Sequence, residues 1–150
     1  MKQSAGILLY KQLHDSIQVL LVHPGGPFWK NKDFGSWSIP KGEIMENEDA
    51  FAAALREFEE ETGAKLHGNF IPLQPVVLKS RKTIHAWGCE RDFDVASVVS
   101  NEFEIEWPPH SGILKSFPEI DGAAWFTVDQ ALLKINPAQG DLITDLLTKI

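Results

Sequence analysis

The 150-residue chain has a single cysteine, Cys89. One thiol forms no internal disulfide, so a packed core has to hold the fold, and a reducing cytoplasm is the expected compartment. Apolar runs are short. None approaches the ~20 residues that span a bilayer, and no charged-then-apolar leader opens the chain, so no membrane partner is expected. Positive charge is scarce as well: 14 Lys and Arg stand against 21 Asp and Glu, a net charge of −7. That balance speaks against a nucleic-acid or anionic-membrane surface. A small anionic substrate remains compatible with it, because a bound cation reverses the local field. Internal repeats, low-complexity segments and linker-like stretches are missing too, so residues 1–150 are expected to form one domain. A hydrophobic fraction of 43% and a charged fraction of 23% fit a soluble globular protein with a proper core.

What is present concentrates between Gly42 and Ala64. Arg56-Glu57-Phe58-Glu59-Glu60-Glu61-Thr62-Gly63 places four glutamates in five consecutive positions. Wound as an α-helix, Ala50 to Thr62 puts Phe51, Ala54, Leu55, Phe58 and Thr62 on one apolar stripe. Glu57, Glu60 and Glu61 share a different face at i, i+3 and i+4, and Ala50 and Ala53 leave space above them. Like charges so spaced cost a bare helix roughly a few tenths of a kcal/mol per pair. An oxygen-only ligand set points to a hard divalent cation, Mg²⁺ or Mn²⁺. Arg56 precedes Glu59 by three residues and Glu60 by four, so it is placed to neutralise and orient a carboxylate. The same residues also read as a solvated acidic face on an interaction protein. The helix is expected to start from Asn47 as N-cap, with Glu48 and Asp49 in its first turn, and to end at Gly63.

Gly42, five residues, Glu48, seven residues, then Arg56-Glu57-Phe58-x-Glu60-Glu61-x-Gly63-Ala64 resembles the Nudix box of the Nudix hydrolases. Every fixed position matches, and Ala64 is small where that family has a larger apolar residue. The box covers 23 of 150 residues, and the order of elements around it is similar to the family as well. The resemblance implies an α/β fold, a Nudix-type α/β/α sandwich with a central mixed β-sheet.

In chain order, Ser4–Tyr10 and Ile17–Val22 read as buried strands around a turn at residues 14–16. Residues 23–35 form a Gly- and Pro-rich loop. It carries Phe28 and Trp29, placed either to stack on a nucleobase or to cover a sheet edge. His23 reads as a structural loop histidine. Ser36–Gly42 reads as a short strand. Residues 70–71, 76–78, 83–87 and 95–99 are β-prone. Glu102, Glu104 and Glu106 alternate with apolar residues, the pattern of a strand with a polar face. Thr127 caps a short helix, and Pro137 opens an amphipathic helix with Ile143, Leu146 and Leu147 on its apolar stripe.

The resemblance also implies chemistry. It makes the chain a metal-dependent pyrophosphohydrolase, acting on a nucleoside diphosphate linked to another group. Glu57, Glu60 and Glu61 would hold the metal with the backbone carbonyl near Gly42. Arg56 would orient Glu57 or Glu60, and a box glutamate or Glu119 would take the proton. Glu102, Glu104 and Glu106 compete for that last role. The Trp-x-x-Pro-Lys-Gly run resembles the segment before the box in enzymes of dinucleoside polyphosphates, with Lys41 on a phosphate or simply solvated. Diadenosine tetraphosphate leads the expected substrates, then nucleoside triphosphates, then ADP-ribose or nucleotide sugars. A non-catalytic nucleotide sensor and an isopentenyl-diphosphate isomerase are rival readings of the same fold. Monomer and homodimer both stay open.

Overall fold

The structure, a computed structural model, describes residues 2–150. Its centre is a mixed sheet of β1 (Gln3–Leu13), β2 (Ser16–Pro24), β3 (Lys41–Glu43), β4 (Phe70–Pro72), β5 (Val76–Val77), β6 (Thr83–Glu90) and β9 (Ile120–Thr127). The main path runs β4-β6-β1-β2-β9, with β3 also on β1 and β5 also on β6. Among the described residues of these strands, β1 and β6 pair in parallel and the other pairs are antiparallel. β7 (Glu102–Glu106) and β8 (Leu114–Pro118) form a separate two-stranded hairpin.

The run Ser4–Tyr10 is buried throughout because both sheet faces are covered. Ala5, Ile7 and Leu9 point to one layer with Leu20, Ala54 and Phe58, the last two from helix α1 (Ala50–Thr62). Leu8 and Tyr10 point the other way with Val19 and Leu21. There they meet Ala131 of α2 (Val128–Lys134) and Leu142, Ile143 and Leu146 of α3 (Gly140–Lys149). The period of two along β1 and β2 thus feeds two cores, one on each side. This is the expected α/β/α arrangement.

Several local expectations are corrected. α1 is capped by Asp49, whose carboxylate accepts from the Ala52 N–H at 3.1 Å, not by Asn47. Asn47 has φ 63°, inside a turn closed by the Glu48 N–H on the Met45 carbonyl. Glu48 therefore lies before the helix. Ala53 is fully buried in the core on the α1 side of the sheet. Ser36–Gly42 is not one strand. Trp37 and Ser38 make single bridges to Ile135 and Val22, and only beyond Pro40 does β3 pair with Ser4–Gly6. Val95–Ser97 is a 3-10 turn, since the Asp94 carboxylate takes the Ala96 N–H at 3.0 Å and supplies a local alternative to a ladder. On α3, Leu142 takes the buried place expected for Leu147, which is 36% exposed.

One buried polar side chain ties the C-terminal part to the centre. Gln139 is 2% exposed, and its Oε1 accepts from the Ile39 N–H at 3.1 Å while Nε2 meets Ser38 Oγ at 3.1 Å. Gln139→Leu leaves a buried N–H unpaired, so urea unfolding should show a loss of about 1–3 kcal/mol. An unchanged midpoint would mean that the N–H finds another acceptor.

Candidate functional site

The site follows from a parting of two strands. β1 and β2 pair from Tyr10 to Leu13 and from Val19 back to Ser16. Beyond that, the 36–43 segment is inserted between them. Ser38 exchanges both backbone bonds with Val22 at 2.8 and 3.0 Å, the Ile7 N–H donates to the Pro40 carbonyl at 3.1 Å, and Lys41–Glu43 pairs with Ser4–Gly6. The parting opens a cleft of about 390 Å³, where Lys41, Gly42 and Glu43 face Glu57 and Glu61 of α1 and Glu119.

Gly42 is a matter of space. A Cβ there would collide with the Glu57 carboxyl, so the α1 carboxylate lies directly on the Gly42 backbone. Glu61 is buried, and its Oε2 has no hydrogen-bond partner. Burial pushes its pKa up to about 8, with the Lys41 charge acting in the opposite sense. Burial likewise holds the Lys41 ammonium below its usual range, opposed by Glu61. The Glu57 carboxyl is raised by burial and then pulled down in part by its bond to Arg56, with Glu60 and Glu119 adding repulsion. Glu119 is raised by burial and by the Glu60 charge. Its backbone is fixed on both sides: the Glu119 N–H donates to Asn101 and its carbonyl accepts from Gly25, each at 2.8 Å.

Arg56 organises the rim. Nε and Nη2 hold both oxygens of Glu48 at 2.8 and 2.9 Å, and Nη1 donates to Glu57 at 2.9 Å and Glu60 at 3.2 Å. Nη2 also reaches the Glu43 carbonyl at 3.0 Å, a contact that no side-chain pattern announces. Glu59, the other carboxylate within reach by spacing, is exposed and receives no bond from it. Glu60 sits beside the cleft on Arg56, not among the residues facing it.

The remaining candidates fall elsewhere. Phe28 meets Trp107 edge to face at 5.4 Å, and Trp29 lies under the Lys32 ammonium; neither lines the acidic cleft. Glu102, Glu104 and Glu106 stand on the exposed face of the β7–β8 hairpin, two of them bonded locally to Ser116 and the His110 N–H. His23 is a tie between segments: its ring meets Asp121 at 2.7 Å and the Lys32 carbonyl at 2.6 Å.

No group of three or more His, Cys, Asp or Glu side chains among the described residues is arranged to hold one ion. Arg56 draws Glu57 and Glu60 toward itself instead. The donor chemistry nevertheless fits a hard cation. Every acidic group at the cleft offers oxygen, and the orphaned Glu61 Oε2 is buried where a positive charge would relieve both its desolvation and its repulsion with Glu57.

The NUDIX domain profile matches residues 2–146. The chain is 31% identical over 101 residues to Nudix hydrolase 7 of Arabidopsis thaliana, covering 61% of this chain and 34% of that protein. It thus spans about a third of that relative's length. It is 27% identical over 135 residues to the RNA pyrophosphohydrolase of Caulobacter vibrioides, covering 81% of this chain and 76% of that one. Among solved structures, an Ap4A hydrolase of C. elegans in a binary complex superposes with a TM-score of 0.67 at 21% identity, over 97% of this chain and 96% of that chain. At that identity the likeness concerns the fold.

The Arg56–Glu48 pair has a testable pH signature. Hydrogen bonds from Arg56 and the Met45 N–H hold the Glu48 pKa at about 2, below its ordinary 4.5. A depressed acid stabilises the fold fully above its unfolded value and loses that contribution as pH falls through the folded one. Glu48→Gln should therefore lower Tm at pH 7, and the gap to wild type should close between pH 4.5 and 2. A gap of constant size would place the effect outside the ionised pair.

Proposed function

The chain belongs to the NUDIX family, and from that premise we propose that it hydrolyses a phosphoanhydride bond in a nucleoside diphosphate linked to another moiety. The observation that carries this reading is the convergence of Glu57, Glu61, Glu119 and Lys41 on one cleft beside the Gly42 backbone. Acid-rich clefts repel a bare polyphosphate, so the cleft needs a cation, and Mg²⁺ is the proposed one: Glu57 and Glu61 would hold it with the backbone carbonyl at Gly42, and Glu60 would join them on turning from Arg56 into the cleft. When bound, it supplies charge neutralisation at phosphate oxygens and activation of water at neutral pH.

The chain's own groups have separable tasks in this reading. Lys41 offers its ammonium to a phosphate oxygen from the wall opposite α1. Arg56 fixes the rotamers of Glu57 and Glu60, so it is a positioning residue. Glu119, on the wall facing α1 and raised above the usual carboxylate range, takes the proton as water attacks phosphorus in line. Diadenosine tetraphosphate is the leading substrate and nucleoside triphosphates follow. That order rests on the Trp37-x-x-Pro40-Lys41-Gly42 run; the similarity to an RNA pyrophosphohydrolase supports cleavage of a pyrophosphate bond.

Hydrolysis of diadenosine tetraphosphate, nucleoside triphosphates, ADP-ribose and a nucleotide sugar should be followed with Mg²⁺ and the products identified. Turnover of the first to AMP and ATP is the expected outcome. Silence on all four substrates with cation binding intact would favour a nucleotide sensor. Glu119→Gln should lower kcat by about 10²-fold or more with little change in KM; unchanged turnover would move the proton to Glu57 or Glu61. Calorimetric titration of Mn²⁺ should show weaker binding to Glu61→Gln, and equal binding would remove Glu61 from the ligand set.

A further inference from the structure

The β7–β8 hairpin spends aromatic residues where neither core needs them. Phe103 faces Phe117 across the pair, with ring centroids 6.1 Å apart, and Ile105 faces Lys115. Phe103 and Ile105 are half-buried, while Glu102, Glu104 and Glu106 face solvent. Trp107 continues the half-buried face, and its backbone N–H donates to the Ile113 carbonyl at 2.9 Å. None of these aromatic side chains belongs to the core on either side of the sheet. An isolated two-stranded hairpin is marginal by itself, and what this face meets is the loop after β2. Gly26, at φ 97°, lies so close to Phe103 that a Cβ would stand 2.7 Å from its ring.

Between loop and hairpin is a pocket of about 560 Å³, within the roughly 300–1,000 Å³ typical of small-molecule sites. Trp107 and Phe117 supply aromatic wall, and Lys30 and Lys115 supply charge. Neither lysine is in an ion pair among the described residues. The one acid on the wall, Asp121, is already engaged by His23. Pro118 and Asp121 line this pocket while Glu119 and Ile120, between them, line the acidic cleft. The two sites are one residue apart along the chain.

We propose that this pocket binds the base of a nucleoside phosphate: the ring stacks on Trp107 and Phe117, and Lys30 and Lys115 take its phosphate. This rests on the hydrolase reading in one respect, that the bound nucleotide is then part of the substrate. The chemistry follows from the walls. A planar π-face matches the two rings with little demand on sequence of hydrogen bonds, and two unpaired ammonium groups select an anionic ligand over a neutral one. Phe28, open by sequence to stacking on a base or to covering a sheet edge, meets the Trp107 ring edge to face.

Binding of each ribonucleoside 5′-monophosphate, of adenosine and of ribose 5-phosphate to the full chain should be measured by calorimetry without metal. At least one monophosphate should bind more tightly than either fragment. Trp107→Ala should weaken it about tenfold. Lys30→Gln with Lys115→Gln, a surface change that spares the hairpin, should reduce the monophosphate to the affinity of the nucleoside and leave adenosine unaffected. Nucleotide binding that survives all these changes, or that Glu57→Gln alone abolishes, would overturn the proposal, as would the absence of any nucleotide binding. A chain that binds through Trp107 and the two lysines but hydrolyses nothing would overturn the hydrolase reading and keep the pocket. Hydrolysis with KM unchanged in the pocket variants would do the reverse.

Discussion

The guanidinium of Arg56 is the junction on which the site depends. Five donated bonds gather the loop before α1, the strand before that loop and two carboxylates of the helix itself. A charge with that many acceptors resists deprotonation, and the Glu48 and Glu57 bonds raise its pKa above an already high value. Lysine could not do the same work, since its compact ammonium lacks the planar fork that holds both Glu48 oxygens while reaching Glu57. The consequence is that a turn containing a strained Asn47 is pinned to the helix that follows it.

The second constraint is the parting of β1 and β2. In a flat hairpin those strands would stay paired to their ends. Here the sequence inserts 36–43 between them, with Pro40 preventing one continuous strand and its carbonyl still accepting from Ile7. Backbone groups stay satisfied while a cleft opens at the centre of a buried sheet. Acidic groups can then be desolvated without leaving the main chain unpaired, and the raised Glu57, Glu61 and Glu119 are the result.

Sequence pattern carried the long elements. The runs at 4–10 and 17–22 read as buried strands, and the spacing of Phe51, Ala54, Phe58 and Thr62 gave α1 its face. Short-range chemistry was harder. Asn47 and Asp49 are both good caps, and only the turn at 45–48 decides between them. Val95–Val99 is β-prone by composition, yet one aspartate side chain outweighs it. Glu61 was placed beside Glu57 and Glu60 by periodicity, but periodicity says nothing of depth: Glu61 is buried and Glu60 is not. The approach of Glu119 to α1 depends on a contact between residues far apart in the chain, which a spacing rule cannot contain. The aromatic pocket was hidden for the same reason, because Trp107 and Lys30 meet only through the fold.

β2 and β9 pair without interruption from Gln18 to His23, and then the register shifts by one residue before Pro24 meets Ile120. That irregularity sets which of residues 118–121 look into the acidic cleft and which into the aromatic pocket. Because side chains alternate along a strand, the length of this segment matters independently of its composition. Substitutions here change what a wall offers. A single deletion or insertion would carry Glu119 away from α1 and exchange the contents of two neighbouring walls. At the 118–121 corner of this chain, what the two walls offer is therefore set by segment length as much as by residue type.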